Sequence, residues 1–312
     1  RHCDDRRRAR RKTGYGRMAE FDYIVVGASS AGCVLANRLS ASGRHSVLLL
    51  EAGGSDLNFW IWMPIGYGKT FYRRSVNWMY QTEPDPGLNG RVSYWPRGKV
   101  MGGSSSINAM VYIRGQAQDF EDWKAMGNPG WGWDDVLPYF KRAETNDRGA
   151  DAWRGGDGPL HVATMDRDLH PLCADFLTAG EELQYPRNPD FNGATQEGVG
   201  TYQNTARDGF RMSTARAYVR PARGRANLSV ETRAHATAIT FDGDRATGVS
   251  YSQRGQAHHA TARAEVILAA GAINSPQLLQ LSGVGPGELL GGMGIALRRD
   301  LPGVGRNLQD HL

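Results

Sequence analysis

The clearest hydrophobic pattern lies near the start of the chain, in FDYIVVGASSAGCVLANRLSASGRHSVLLLEAGG, residues 21–54. Tyr23-Ile24-Val25-Val26 is an unbroken apolar run of strand length, as expected of a strand buried on both faces. Small residues follow, Gly27-Ala28-Ser29-Ser30-Ala31-Gly32. Ala31, Val34, Leu35 and Leu39 then recur at helical spacing, which predicts a helix that stops near Gly43. A second apolar run, Val47 to Leu50, ends in an acid, Glu51.

Strand, glycine turn, helix, strand and terminal acid together describe a dinucleotide-binding βαβ unit, with Glu51 about 20 residues beyond the turn, where a carboxylate meets a ribose. Gly27 permits the sharp strand-to-helix turn, and Gly32 lets helix and strand backbones approach. Free amides at the helix N-terminus face a pyrophosphate, whose charge the helix dipole favours. One position departs from G-x-G-x-x-G: the middle glycine is Ser29, whose Cβ is expected to narrow the phosphate site and weaken binding. The bland alternative is a structural α/β turn.

Beyond this unit the periodicity weakens. Residues 53–92 are loop-rich and aromatic (Trp60, Trp62, Tyr67, Phe71, Tyr72, Trp78, Tyr80), as expected of a segment that covers a ligand or packs on the sheet. Gly102-Gly103-Ser104-Ser105-Ser106 lacks bulky side chains, so a planar ring and its phosphates could lie against backbone there; a flexible linker is the alternative. Residues 129–145 read as a helix with Asp134 as N-cap. Pro159 to Val162 reads as a strand and Pro171 to Leu183 as a helix. Val230 to Phe241 and Ala246 to Tyr251 read as paired strands joined by Asp242-Gly243-Asp244. Ala257 to Leu268 reads as a further strand entering the turn Ala269-Ala270-Gly271-Ala272. Asn274-Ser275-Pro276 then opens a helix over Gln277 to Leu281. His258-His259 and Asp310-His311 are read as structural pairs rather than as ligands or catalysts.

Composition adds bounds rather than chemistry. A chain of 312 residues can bury a substantial core, its 40 glycines show no repeat, and no apolar span is long enough to cross a bilayer. The net charge of +5 is concentrated in residues 1–17, which carry eight Lys or Arg, and the rest is near neutral. That arm could bind nucleic acid or an acidic membrane surface. Because Met18 opens MAEFDYIVVG, residues 1–17 are instead read as a non-native or disordered extension, and no nucleic-acid partner is expected. The three cysteines, Cys3, Cys33 and Cys173, form no C-x-x-C pair, so a reducing compartment and no structural metal are expected. Cys33 is read as packing.

Three stretches then carry a resemblance: VVGASSAGCVLANRLS with EAGG, WPRGKVMGGSSSINAMVYIRG, and GAINSPQLLQLSGVGP, with NLQDH as a further phrase. The chain resembles the glucose–methanol–choline (GMC) oxidoreductases from Met18 to Leu312, above all the bacterial choline and alcohol dehydrogenases, departing at Ser29 and at Met101, where leucine is usual. The resemblance implies an α/β fold: a Rossmann-like FAD-binding domain, βαβ with additional β-sheet, plus part of an α+β substrate-binding domain, C-terminally truncated. It divides the chain into 18–155, the first part of the FAD-binding domain with a cofactor-covering loop at 55–92; 156–226, a partial substrate-binding domain; and 227–312, the second, incomplete part of the FAD-binding domain.

The cofactor it implies is FAD. Gly27, Ser29, Ser30, Ala31 and Gly32 would line the pyrophosphate, with Glu51 on the ribose and Ala52 beside it. Gly98, Val100, Gly102, Gly103 and Ser104, then Asn108, Ala109, Met110 and Val111, would hold the ribityl chain and ring. Ala236 would meet the adenine, and Ala272 sits in the turn returning to the cofactor. Some relatives attach FAD through a histidine where this chain has Ile107, so attachment is expected to be non-covalent. The family reaction oxidises an alcohol to an aldehyde or ketone, a histidine taking the hydroxyl proton while hydride passes to flavin N5. None of the eight histidines occupies the matching position, so the base is expected beyond Leu312 and the chain reads as a fragment. An inert FAD-binding remnant and a hydroxynitrile-lyase-like member of the fold remain alternatives. The alcohol, the acceptor (quinone or oxygen) and the oligomeric state are open. The expected location is cytoplasmic, with peripheral membrane association left open.

Overall fold

The computed structural model describes residues 19–165 and 169–309. The readings for residues 1–17 and for Asp310-His311 fall outside them. At the centre is a six-stranded sheet built from β1 (Ala19–Val26), β2 (Val47–Glu51), β3 (Leu228–Thr232), β4 (Ala234–Asp242), β5 (Arg245–Gln253) and β6 (Gln256–Leu268). Their order is β3-β2-β1-β6-β5-β4. β3, β2, β1 and β6 run parallel, with Tyr23 opposite Val47 and Val26 opposite Leu268. β6, β5 and β4 form an antiparallel meander.

The continuous apolar runs of β1 and β2 are explained by burial on both faces. Ile24, Val26, Leu48 and Leu50 pack with Ala234, Ile239, Val249 and Tyr251, so the meander covers one face of the parallel strands. Val25, Val47 and Leu49 face the other way, against Cys33 and Ala36 of helix α1 (Ser30–Ser40) and the Ala215–Ala222 segment. Each fully buried branched side chain contributes roughly 1.5–3 kcal/mol.

Several boundaries differ from the sequence reading. Val230 to Phe241 is two strands, not one. The chain breaks at Arg233, whose φ of +56° turns it from the parallel sheet into the meander, with its amide donating to Gly53 O at 2.7 Å. No glycine or proline marks that break. The buried face of α1 is Gly32, Cys33, Ala36, Asn37 and Ser40, with Val34, Leu35 and Leu39 only partly buried and Ala31 exposed. Small residues permit that close contact, and Cys33 is packing as expected. The helix after β6, α2, spans Gly271–Leu281, so it starts six residues before Gln277 with Pro276 inside it. The helix Trp133–Ala143 is capped at Gly132, whose amide donates to Asp135 Oδ2 at 3.1 Å; Asp134 is not the cap.

Residues 53–92 form short helical turns (Phe59–Trp62, Pro64–Gly66, Tyr67–Thr70) and loop, as read. The remainder forms small two-stranded pieces, such as Glu144–Asn146 with Leu160–Val162, and the helix Pro171–Glu182. A buried ion pair, Arg114 Nη2 to Glu144 Oε1 at 3.0 Å, ties this part together. Among the described residues no helix is long and apolar enough to cross a membrane.

Candidate functional site

The cleft that matters opens at the C-terminal ends of β1 and β2, where an open α/β sheet places its ligands. Val26 and Gly27 end one strand, and Leu50, Glu51 and Ala52 end the other. The cleft encloses about 610 Å³ including its open mouth, and continues past Gly98 and Gly103 to the first turns of both helices. Ser29, Ser30 and Ala31 bring the N-terminus of α1 to it, and Ala270, Gly271 and Ala272 bring that of α2. Two helix N-termini thus present unpaired amides to one space, which favours an anion.

Glu51 is the only carboxylate lining this end of the cleft among the described residues. It is 5 % exposed; Oε2 accepts from the Ala28 amide at 3.0 Å and Oε1 from the Gly53 amide at 2.7 Å. Burial pushes its pKa up to about 7, against the downward pull of those amides and of Lys99. The carboxylate is therefore clamped to the turn by its own strand end, with spare lone pairs for a ligand hydroxyl.

Backbone crowding makes the glycines of the floor obligatory. A Cβ on Gly98 would stand 2.2 Å from Gly103 O, and one on Gly103 would stand 2.9 Å from Ser29 Cα. Gly27 has φ +96° and room for no side chain beside Ala269 O. Ser29, by contrast, sits at φ −75°, where any residue is comfortable, and its hydroxyl donates to Ala269 O at 2.6 Å.

The opposite wall is aromatic. Trp78 stacks on Tyr80 with centroids 5.8 Å apart, carries Lys99 Nζ over its ring at 4.3 Å and meets the edge of His235 at 5.5 Å. Burial, then Lys99, push the His235 pKa down. The Tyr80 hydroxyl donates to Asn274 Oδ1, joining the covering segment to α2.

The chain matches the GMC oxidoreductase family over residues 21–312. It belongs to that family. It is 48% identical over 293 residues to an oxygen-dependent choline dehydrogenase of Photobacterium profundum, covering 94% of this chain and 52% of that protein. It is 51% identical over 295 residues to the alcohol dehydrogenase [acceptor] of Pseudomonas putida, covering 94% and 53%. A solved FAD-dependent oxidoreductase from Chaetomium thermophilum superposes with a TM-score of 0.84 at 32% identity, over 91% of this chain and 51% of that one. The chain spans about half the length of the curated relatives it matches.

Within this GMC chain the sequence-derived site residues fall into three groups. Gly27, Ser29, Ser30, Ala31, Glu51, Ala52, Gly98, Gly103, Ser104, Ala236 and Ala272 all line the cleft. Gly32, Val100 and Gly102 do not. Gly32 is buried where its Cβ would lie 1.9 Å from Gly27 O, Val100 is fully buried among Ile61, Val76 and Ile107, and Gly102 donates its amide to Ala28 O at 2.7 Å. They hold the floor from behind. Asn108, Ala109 and Val111 are exposed on the segment leaving the cleft, while Met110 is buried at φ +66°. Trp78, His235, Asn274 and Gln277 line the cleft without having been singled out for it; only the aromatic density of 53–92 pointed toward the first.

Proposed function

We propose that the chain holds FAD in this cleft and serves an enzyme that oxidises an alcohol to an aldehyde or ketone. The observation that carries the reading is the alignment of a buried carboxylate, two helix N-termini and a glycine floor along one groove. In that reading Glu51 accepts from the adenosine ribose, and Ala236 lies beside the adenine. The amides at Ser29–Ala31 and Gly271–Ala272 would face the diphosphate, the Ala270 amide being held by the Ser275 hydroxyl at 3.1 Å, and the Gly98–Gly103 floor would admit the chain leading to the ring. Ser104, Asn108, Ala109, Met110 and Val111 would hold the ring. FAD, when bound, supplies an acceptor for a hydride equivalent.

What the chain contributes is binding, orientation and exclusion of water. Trp78 closes the side of the cleft, and Tyr80 with Asn274 holds that wall to α2. Ile107 is 2 % exposed among Ile61, Val76 and Val100, an aliphatic setting with no nucleophile, so attachment is taken as non-covalent. The general base for the hydroxyl is assigned to the part of the relatives' length that this chain does not span. The domain limits 18–155, 156–226 and 227–312 belong to the same proposal, as do a location in the cytoplasm and a small alcohol as partner.

Purified protein mixed with FAD and then desalted should keep a band near ~450 nm, the signature of the isoalloxazine. Anaerobic addition of choline or a simple alcohol to the full-length protein should bleach it. A preparation that stays colourless after FAD is supplied refutes the cofactor, and a band that survives every alcohol refutes the reaction in favour of a lyase-like role.

A further inference from the structure

Arg211 is a buried cation with only neutral partners. Its residue is 2 % exposed. Nε donates to Ile61 O at 2.8 Å, and Nη1 donates to Ser105 O at 3.2 Å and Asn108 Oδ1 at 2.8 Å. Nη2 is equally buried and meets no acceptor among the described residues. Burial lowers its pKa to about 10, with no charged neighbour contributing, so the guanidinium stays protonated at neutral pH. Burying an uncompensated ion is costly, and three carbonyl-type acceptors offset only part of that cost.

The place of this charge is specific. Ser105 and Asn108 belong to the segment that starts at Gly103 and Ser104 on the cleft floor. Thr214, three residues after Arg211, reinforces the same segment: its amide donates to Ser105 Oγ at 3.1 Å, and Ser105 Oγ donates to Gly102 O at 2.7 Å. A buried positive charge and a spare donor therefore stand against the segment that continues from the cleft floor at Gly103 and Ser104.

The geometry points to Arg211 as a positioning residue whose fixed charge favours the reduced, anionic flavin over the oxidised one. The inference rests on the reading that FAD occupies the cleft. Oxidation of an alcohol carbon to a carbonyl releases one proton and one hydride equivalent. With FAD bound, the proton would go to the general base and the hydride, with both electrons, to the ring, which would gain one negative charge. A cation held behind the ring-binding segment stabilises that charge without touching substrate, and the neutral acceptors around it leave it uncancelled until then.

Spectroelectrochemical titration of the flavin-loaded protein tests this. Arg211→Gln keeps a hydrogen-bond donor and removes the charge; it should weaken the preference for reduced over oxidised flavin about tenfold, a fall of about 30 mV in midpoint potential. Arg211→Lys keeps the charge and loses the planar fork, and should stay within about threefold of wild type. Should Arg211→Gln fail to fold, Asn108→Asp decides, because it leaves the arginine in place and sets a carboxylate on Nη1. That variant should resist urea better than wild type and still lose potential. A wild-type potential in flavin-loaded Arg211→Gln, or in Asn108→Asp, overturns the inference, as does an equal fall in Arg211→Lys. These results leave FAD binding intact, whereas failure of the wild-type protein to take up FAD overturns the cofactor reading and this inference with it.

Discussion

Glu51 offers the sharpest test of the cleft, because its stability effect and its binding effect run in opposite directions. Its folded pKa, about 7, stands above the ordinary 4.5 because burial disfavours the charged form. For a group raised in this way, the folded state is fully favoured below the ordinary value and progressively loses that advantage as pH climbs to the folded value. The window is therefore pH 4.5 to about 7, and the loss persists above it. At about 1.4 kcal/mol for each pH unit between the two values, the folded protein gives up about 3 kcal/mol across that window. Glu51→Gln cannot ionise and does not share this loss. It does sacrifice one of the two backbone bonds, to Ala28 or Gly53, at a cost of about 1–3 kcal/mol that does not vary with pH.

Urea unfolding of the flavin-free wild type and Glu51→Gln at pH 5 and pH 8 isolates the carboxyl, since every other titrating group cancels between the two proteins. Relative to wild type, the variant should gain about 2–3 kcal/mol on going from pH 5 to pH 8. FAD affinity should move the other way, falling about 10–100-fold at pH 8, the worth of a hydrogen bond to a charged acceptor. A stability difference constant to within about 0.5 kcal/mol across that pH range refutes the raised pKa. Unchanged FAD affinity refutes the placement of the ribose.

Three further outcomes are expected. Gly98→Ala puts a methyl 2.2 Å from Gly103 O, so it should lower stability by about 1–3 kcal/mol and abolish flavin retention on desalting, whereas Gly224→Ala, with nothing within 4 Å, should shift the urea midpoint little. Glu144→Gln leaves the buried Arg114 guanidinium without its acid and should cost about 3–5 kcal/mol in chemical denaturation, a loss that a surface pair would not show. Ser29→Gly removes the bond to Ala269 O and adds backbone entropy, a loss of about 1–2 kcal/mol, while equilibrium titration with FAD should show no tighter binding.

How far the sequence could be read depended on the kind of signal. Val25, Leu48 and their neighbours form continuous apolar runs because both faces of β1 and β2 are covered, and such runs are visible without coordinates. Glu51 was visible for a related reason, an acid closing an apolar run at the distance a ribose requires. The glycines announced close backbone approach but not what approaches: Gly32 and Gly102 press on protein, while Gly27 and Gly103 border the cleft. Arg233 breaks a strand in the left-handed region with no residue type to warn of it. Trp78 and His235 meet across more than 150 residues of chain, and nothing periodic connects them.

Ser29 is the place where local pattern and tertiary structure conflict most instructively. Judged against G-x-G-x-x-G, it is a defect, a side chain where backbone should meet phosphate. In the fold, Ala28 and Ser29 together are a junction of three distant segments. The Ala28 amide donates to Glu51, the Ala28 carbonyl accepts from Gly102, and the Ser29 hydroxyl reaches Ala269 at the end of β6. With φ at −75° the position makes no demand for glycine, and the hydroxyl spans the gap between the two strand ends from which α1 and α2 depart. The serine therefore fixes one helix N-terminus relative to the other, and that spacing is what a diphosphate lying between them would sense.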